Sequence, residues 1–148
     1  MYERILVATD GSDLSEQAVT TAIDLAVLTR AELVAVHVIR IHAQSYFEGA
    51  LLLSQEETHR TQERADVEGL RVVEAVKARA LAKGVRNVMP VTLKSNQVAE
   101  AIIEAAKQHK CGLIVMASHG RRAIQRLLMG SETMHVLTHS HTPVLVLR

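Results

Sequence analysis

The chain has 148 residues, of which 48% are hydrophobic and 22% charged, a size and composition typical of one folded domain. Lys and Arg (17) nearly balance Asp and Glu (16), and the formal net charge of +1 provides no long-range field to hold DNA or an anionic membrane. Aromatic residues make up 2% of the chain, so it cannot build the stacking platforms that bind single-stranded nucleic acid. We therefore expect one domain over residues 1–148, with neither nucleic acid nor membrane as a partner.

Three features predict a cytoplasmic location. The N-terminal segment MYERILVATD lacks the longer apolar core and cleavage site of a secretory signal. The longest apolar runs are far shorter than the ~20 residues needed to span a bilayer. Cys111 is the only cysteine, so an internal disulfide is excluded, and its place before an apolar run predicts a buried packing role.

Short apolar runs rich in β-branched residues predict the strands. Their nearly continuous apolar character is typical of a parallel sheet that is covered on both faces. A weaker run, Asn87 to Leu93, is interrupted by Pro90, which favours an edge strand because proline cannot donate to a ladder. The four stronger runs are Arg4 to Ala8, Glu32 to Ile39, Leu113 to Ala117 and Pro143 to Leu147.

Helical patterns lie between these runs. The first helix is predicted to start at a capping box of Asp13 and Glu16 and to end at Arg30. The second is predicted from about Gln55 to Lys83, and the third is expected to be capped by Asn96. Strands that alternate with helices predict an α/β fold, an open five-stranded parallel sheet with helices on both faces. Ligands of such sheets bind beyond the carboxyl ends of the strands.

The segment from His42 to Ser54 is the least periodic part of the chain. It is interpreted either as a flap over the strand ends or as a loop that packs against a partner, and the sequence does not decide between them.

Two turns at predicted strand ends are candidates for ligand binding. The first strand is followed by Thr9, Asp10, Gly11 and Ser12, which suit ligand binding but also form Asx turns and helix caps. The segment from Met116 to Ser131 follows the fourth strand and contains Gly120, Gly130 and Ser131. Glycine permits close backbone approach to a phosphate, and a helix N-terminus favours its charge. Arg121 and Arg122 are interpreted either as charges at the pocket mouth or as a solvated surface pair.

Three strings make the chain resemble the universal stress protein family along essentially its whole length: ILVATDGS, IVMASHGRRAIQRLLMGSET and HTPVLVLR. The ATP-binding branch of that family carries Gly, two residues, Gly, nine residues, then Gly and Ser or Thr. Here Gly120, Gly130 and Ser131 match, whereas Ala117 stands at the first glycine. The resemblance implies the adenine nucleotide alpha-hydrolase-like fold with strand order 3-2-1-4-5.

The resemblance also implies a nucleotide site. Asp10 would meet the ribose or adenine, and Val38 would present its backbone to the adenine edge. Gly130, Ser131 and Thr133 would hold the phosphate tail. The implied cofactor is ATP or another adenine nucleotide (ADP or AMP), with or without Mg²⁺. The predicted site comprises Ala8, Thr9, Asp10, Val38, Met116, Ala117, Ser118, His119, Gly120, Arg121, Gly130, Ser131 and Thr133.

No catalytic residue is predicted. Ser118 and His119 are adjacent, with no third orienting group and no Gly-x-Ser-x-Gly motif. A P-loop is excluded because the segment from Met116 to Ser131 contains no lysine. At most, a slow ATPase is compatible with the sequence.

The remaining histidines are assigned non-catalytic roles. His135 and His139 share a helix face near His141, but no Glu stands at the expected partner position, and no carboxylate suited to orient metal-bound histidine rings is identified close in sequence. We expect surface or interface histidines rather than a metal site. His37, inside a strand, is expected to be a hydrogen-bonded core histidine.

The last predicted strand, Pro143 to Leu147, resembles the edge through which family members pair. We therefore expect a homodimer through residues 143–147, and an unknown protein partner. The leading hypothesis is a stress-response protein that binds ATP or a related adenine nucleotide and acts as a nucleotide-dependent dimeric regulator. The alternative is a nucleotide-independent interaction or chaperone-like module, and a slow ATPase ranks third.

Overall fold

The computed structural model describes residues 2–42, 51–119 and 129–148. These residues form a five-stranded sheet of order β3-β2-β1-β4-β5 in which all pairings are parallel. The predicted α/β fold and strand order are confirmed. In chain order the elements are β1 (Arg4–Ala8), α1 (Asp13–Thr29), β2 (Glu32–Ile39), α2 (Leu51–Ala82), β3 (Val88–Lys94), α3 (Val98–Gln108), β4 (Leu113–Ala117), α4 (Ser131–His139) and β5 (Val144–Leu147).

Helices cover both faces of the sheet, as predicted. Side chains that alternate along each strand divide the core into two clusters, so Val7 faces one side and Leu6 the other. The first cluster packs under α1 and α2 around Ile23 and Val73, while the second packs under α3 and α4 around Ile102. Because both faces are covered, the ends of the strands are where a ligand can approach the sheet.

Local pattern predicted most strand bounds. The predicted bounds of β1, β2 and β4 coincide with the observed ones, and β5 begins one residue later than predicted, at Val144. The strand β3 lies at the sheet edge, where Pro90 is opposite Ala35. The edge position predicted from Pro90 is therefore confirmed.

The predicted starts of α1 and α2 were wrong. The cap of α1 is Ser12, whose hydroxyl accepts a hydrogen bond from the Ser15 N–H at 3.3 Å, and Asp13 is already helical. The helix α2 begins at Leu51 rather than near Gln55. Part of the predicted aperiodic segment is thus helical, and its residues 43–50 lie outside the described ranges.

The predicted cap of α3 was also wrong. The residue before the helix is Gln97, which makes no side-chain cap, and the Asn96 side chain instead accepts the Ile41 N–H at 2.9 Å. The Ala99 N–H donates at 2.9 Å to the carboxylate of Glu132, a residue of α4 that is distant in sequence. A carboxylate from another helix therefore accepts the N–H that a local cap residue would otherwise accept.

Cys111 is buried, as predicted, with 7% of its surface exposed. Burial raises the pKa of its thiol to about 11.

Among the described residues, no helix combines the length and apolar character that crossing a membrane requires.

Candidate functional site

Several of the predicted site residues within the described ranges lie together at one edge of the sheet, where the carboxyl ends of the strands meet. Because β1, β2 and β4 are parallel neighbours, Thr9, Val38 and Ser118 all lie at or just beyond the carboxyl ends of their strands. The Thr9 N–H donates to the Val36 carbonyl at 3.0 Å, which extends the β1 and β2 pairing into the turn. This edge is the position predicted for ligand binding.

The turn between β1 and α1 is closed by its own side chains. The Thr9 hydroxyl accepts the Gly11 N–H at 3.1 Å and lies 2.9 Å from the Ser15 hydroxyl. The Ser15 hydroxyl donates to the Ser12 carbonyl at 2.8 Å. Thr9 and Ser15 are both buried, at 5% and 3% exposure. The Thr9 hydroxyl therefore makes its hydrogen bonds within the turn.

Asp10 shapes the same turn. Its carboxylate accepts the Ser12 N–H at 2.9 Å, which is the Asx-turn arrangement. Gly11 has a φ of 77°, a left-handed conformation that favours glycine. Asp10 remains half-buried at the strand edge, so the turn presents this carboxylate beside the predicted ligand position.

His37 holds the turn from β2. Its Nδ1 lies 2.8 Å from the Thr9 carbonyl oxygen, and because a carbonyl only accepts, Nδ1 carries the proton. The predicted hydrogen bond is confirmed, but the predicted core position was wrong because His37 is half-buried. His37 is absent from the predicted site, although its position next to Val38 was a signal in the sequence.

Ser118 joins β4 to both β5 and α4. Its N–H donates to the Leu147 carbonyl at 2.7 Å, and its carbonyl accepts the Gly130 N–H at 2.8 Å. The buried Thr133 hydroxyl donates to the Ala117 carbonyl at 3.0 Å. These bonds place the first turn of α4 directly against the end of β4.

Gly130 is the point of closest backbone approach in this junction. A Cβ atom there would lie 3.3 Å from the Ser118 carbonyl oxygen and 3.6 Å from the His119 Cα. The neighbouring backbone would have to give way slightly to any side chain. The absence of a side chain thus keeps α4 close to the strand end.

The side chains of Ser118 and His119 are hydrogen-bonded, with 2.8 Å between Oγ and Nδ1. Ser118 is 4% exposed. The Nε2 atom of His119 is buried and has no hydrogen-bond partner within the described part of the chain. Within the described residues this pair has no third group that orients the imidazole, and the buried nitrogen there is left with a hydrogen bond to make.

Ala117 and Met116 are the last two residues of β4, and both side chains pack into the core. Ala117 is 7% exposed, and its methyl group packs into the cluster under α1 and α2. The non-glycine residues with positive φ in the described ranges are Arg30 and Lys110, so Ala117 needs no left-handed conformation. Met116 packs into the opposite cluster, against which Ala8 and Val38 also pack.

The first turn of α4 offers backbone donors. The Gly130 N–H is used by Ser118, and the Met134 N–H donates to the Gly130 carbonyl at 3.0 Å. The amides of Ser131, Glu132 and Thr133 therefore occupy the positions that have no acceptor within a helix. A helix end of this kind favours an anionic ligand.

The family model described as the universal stress protein family matches residues 1–148. The chain belongs to the universal stress protein family. It is 32% identical to universal stress protein YxiE of Bacillus subtilis over 151 aligned residues, covering 100% of both chains. The structure of the universal stress protein UspA from Lactobacillus plantarum matches with a TM-score of 0.84 and 26% identity, over 99% of this chain and 98% of that one.

A second solved relative is informative about ligands. It is a universal stress protein in complex with cAMP, with a TM-score of 0.70 and 25% identity, over 99% of this chain and 97% of that one. An adenine nucleotide therefore binds to one member of the universal stress protein family with this fold.

The structure leaves part of the predicted site undescribed. Gly120, Arg121 and Arg122 lie outside the described residues. The family pattern can therefore be followed in space only at Ala117, Gly130 and Ser131.

The C-terminal histidines have a carboxylate partner that the sequence analysis missed. His135 Nε2 lies 2.6 Å from Glu100 Oε1, and the rings of His135 and His139 stack with centroids 4.2 Å apart. Glu100 is distant in sequence, so no local signal could have identified it. In the part of the chain that the structure describes, no group of three or more His, Cys, Asp or Glu residues is placed to hold a metal ion.

Proposed function

We propose that this universal stress protein binds an adenine nucleotide at the carboxyl edge of its sheet and acts as a nucleotide-dependent dimeric regulator. The observation that carries the proposal is the junction of β4 with α4. There Gly130 brings the amide donors of the α4 first turn against Ser118, beside a buried imidazole nitrogen to which no described residue is hydrogen-bonded. Such donors suit the oxygens of a phosphate group.

The proposed roles follow the residues present. The adenine would lie near the end of β2 at Val38, and the ribose near Asp10. The phosphate would lie against Ser131 and its neighbouring amides, with His119 beside it. The complex of a family member with cAMP supports an adenine nucleotide as the ligand class. The candidates are ATP, ADP and AMP, with or without Mg²⁺.

The dimer is proposed through β5. This strand is at the edge of the sheet in the described residues, and exposed edges favour pairing with a second copy. The Ser118 N–H donates to the Leu147 carbonyl of β5, so one hydrogen bond joins the proposed ligand site to the proposed interface. Occupancy of the site would thereby alter the surface that a protein partner recognises.

The test is calorimetric titration of the purified protein with ATP, AMP and cyclic AMP. The Gly130→Asp variant serves as the comparison. Its carboxylate would lie against the phosphate, and we expect at least about 30-fold weaker binding because like charges repel strongly near a protein surface. Circular dichroism must show that the variant remains folded.

Each alternative has its own outcome in this test. If no nucleotide binds to the wild-type protein, a nucleotide-independent interaction or chaperone-like module replaces the proposal. Phosphate release from ATP in the same samples would favour the slow ATPase.

A further inference from the structure

His37 contacts both the turn after β1 and the helix α2. Its Nδ1–H donates to the Thr9 carbonyl at 2.8 Å, just beyond Ala8, the last residue of β1 that pairs with β2. The Thr9 N–H donates in turn to the Val36 carbonyl of β2 at 3.0 Å. The strand β2 therefore holds Thr9 by its N–H and by its carbonyl, once with a backbone group and once with a side chain.

The carbonyl that accepts the His37 hydrogen bond belongs to the peptide group between Thr9 and Asp10. Because a peptide group is planar, a bond to its oxygen fixes the direction in which the chain enters Asp10. The Asp10 carboxylate then accepts the Ser12 N–H at 2.9 Å, across the left-handed Gly11. The direction of this carboxylate thus depends on His37 of the neighbouring strand, and the link does not involve the Thr9 hydroxyl.

The helix α2 confines the imidazole ring of His37. Gly69 is a buried residue in the interior of α2, and a Cβ atom there would lie 2.9 Å from His37 Cδ2 and 2.8 Å from Ile39 Cδ1. Carbon atoms in favourable contact are about 3.5–4.0 Å apart, so a side chain at Gly69 would displace the ring or the Ile39 side chain. Glycine is disfavoured inside helices, and here its missing side chain lets the helix backbone approach the ring. The position of the ring is therefore set by α2 as well as by Thr9.

We infer that His37 is a positioning residue that holds the Asp10 carboxylate against the ribose, so that the site selects nucleotides with ribose hydroxyls over their deoxy analogues. The inference rests on the proposed nucleotide-binding function, in which the ribose lies near Asp10. An ionised carboxylate accepts hydrogen bonds, and hydroxyls donate them. A polar group held at a ribose hydroxyl discriminates against a ligand that lacks the hydroxyl, because the hydrogen bond is then not made. A misdirected carboxylate gives no such discrimination.

The experiment compares AMP with dideoxyadenosine monophosphate, which keeps the base and the phosphate but lacks both ribose hydroxyls. Calorimetric titrations use the purified wild-type protein and its variants. His37→Leu removes the donor, whereas His37→Asn places an amide N–H near the position of Nδ1. Gly69→Ala displaces the ring without changing its chemistry.

His109→Leu is the matched control for these variants. His109 is half-buried, like His37, but it follows α3 at the amino edge of the sheet, where its carbonyl accepts a hydrogen bond from Arg4 at the start of β1. The same substitution is thus made far from the carboxyl edge.

For the wild-type protein we expect AMP to bind at least about tenfold more tightly than the dideoxy nucleotide. His37→Leu should weaken AMP binding about five- to tenfold and change binding of the dideoxy nucleotide by less than about twofold, so that most of the discrimination is lost. His37→Asn should bind AMP within about twofold of the wild type, since the donor is restored. Gly69→Ala should weaken AMP binding at least about threefold without weakening the dideoxy nucleotide. His109→Leu should match the wild type.

Three results would overturn this inference while leaving the proposed function intact. One is equal binding of the two nucleotides by the wild-type protein. Another is an equal loss for both nucleotides in His37→Leu, which would mean that His37 supports the fold rather than the ribose contact. The third is a failure of His37→Asn to recover AMP binding.

Circular dichroism identifies any variant that does not fold. If His37→Leu is unfolded, Gly69→Ala decides the question, and a wild-type ratio of the two affinities in that variant would contradict the inference. If the wild-type protein binds neither nucleotide, the proposed function and this inference fail together.

Discussion

The two turns at the carboxyl edge of the sheet use similar residues in opposite ways. In the turn after β1, the hydroxyls of Thr9 and Ser15 and the Asp10 carboxylate bond to groups of the turn itself. At the end of β4, the His119 Nε2 has no partner within the described residues, and the α4 amides have no intrahelical acceptor. The hydrogen bonds of the turn after β1 hold that turn in its own shape. The end of β4 and the start of α4 instead present groups that a ligand can bind. Substitutions in the two should therefore affect different quantities.

The largest effect is expected on stability, at Thr9. Thr9→Val keeps the shape of the side chain but leaves the Gly11 N–H without its acceptor and removes one of the two hydrogen bonds of the Ser15 hydroxyl. We expect the free energy of unfolding to fall by about 1–3 kcal/mol, the usual cost of unpaired buried polar groups. Urea denaturation provides the measurement. Nucleotide affinity of the folded variant should change by less than about threefold.

Thr138→Val is the control for this substitution. Its hydroxyl donates to the Met134 carbonyl on an exposed helical surface, so the expected change is within about 0.5 kcal/mol. A large loss of affinity in Thr9→Val with unchanged stability would contradict the distinction between the turns.

The next effect is expected on binding, at His119. His119→Asn places a polar group near the position of Nδ1, within reach of Ser118, but removes the group at Nε2. We expect about five- to tenfold weaker AMP binding, in line with the net contribution of one hydrogen bond. Stability should change little because the lost atom has no partner in the described protein.

His119→Gln is the matched variant, because its amide reaches towards the Nε2 position. It should recover part of the lost affinity in the same titration. If both variants bind AMP as the wild type does, the His119 nitrogen does not contact the ligand, and the proposed contrast between the turns is lost at this residue.

The smallest effect is expected at Ala117, where the family pattern has glycine. The Ala117 methyl group packs into the core away from any need for positive φ. Ala117→Gly should therefore change nucleotide affinity by less than about threefold and lower stability by roughly 0.5–1 kcal/mol, because glycine weakens a strand interior. A gain of tenfold or more in affinity, measured by calorimetry, would show that the methyl group obstructs the ligand.

Local sequence patterns predicted the bounds of most strands. They failed for the cap of α3, where a residue distant in sequence accepts the backbone N–H. The bounds of β1, β2 and β4 follow from apolar runs that need only local information. Asn96 has the residue type of a helix cap, yet its side chain accepts the Ile41 N–H, and Glu132 of α4 accepts an N–H from the first turn of α3. Nothing near Asn96 in sequence indicates that Glu132 will lie there.

The same limit applies to the site. The pattern of Gly130 and Ser131 predicted a phosphate-binding helix end, and its proximity to β4 depends on bonds that the pattern does not encode. The role of His37 in holding Thr9, and the contact of Glu100 with His135, likewise join residues far apart in the chain. Such partners become predictable only when the sheet order is known.

The hydrogen bond from Ser118 to Leu147 has a practical consequence for handling the protein. With a purification tag attached after Arg148, only that residue would separate the tag from Leu147, at the edge where the nucleotide is expected. A tag attached before Tyr2 would instead leave the sheet near the start of β1, at the opposite edge. Ligand titrations should therefore use protein tagged at the N-terminus, or protein from which the tag has been removed.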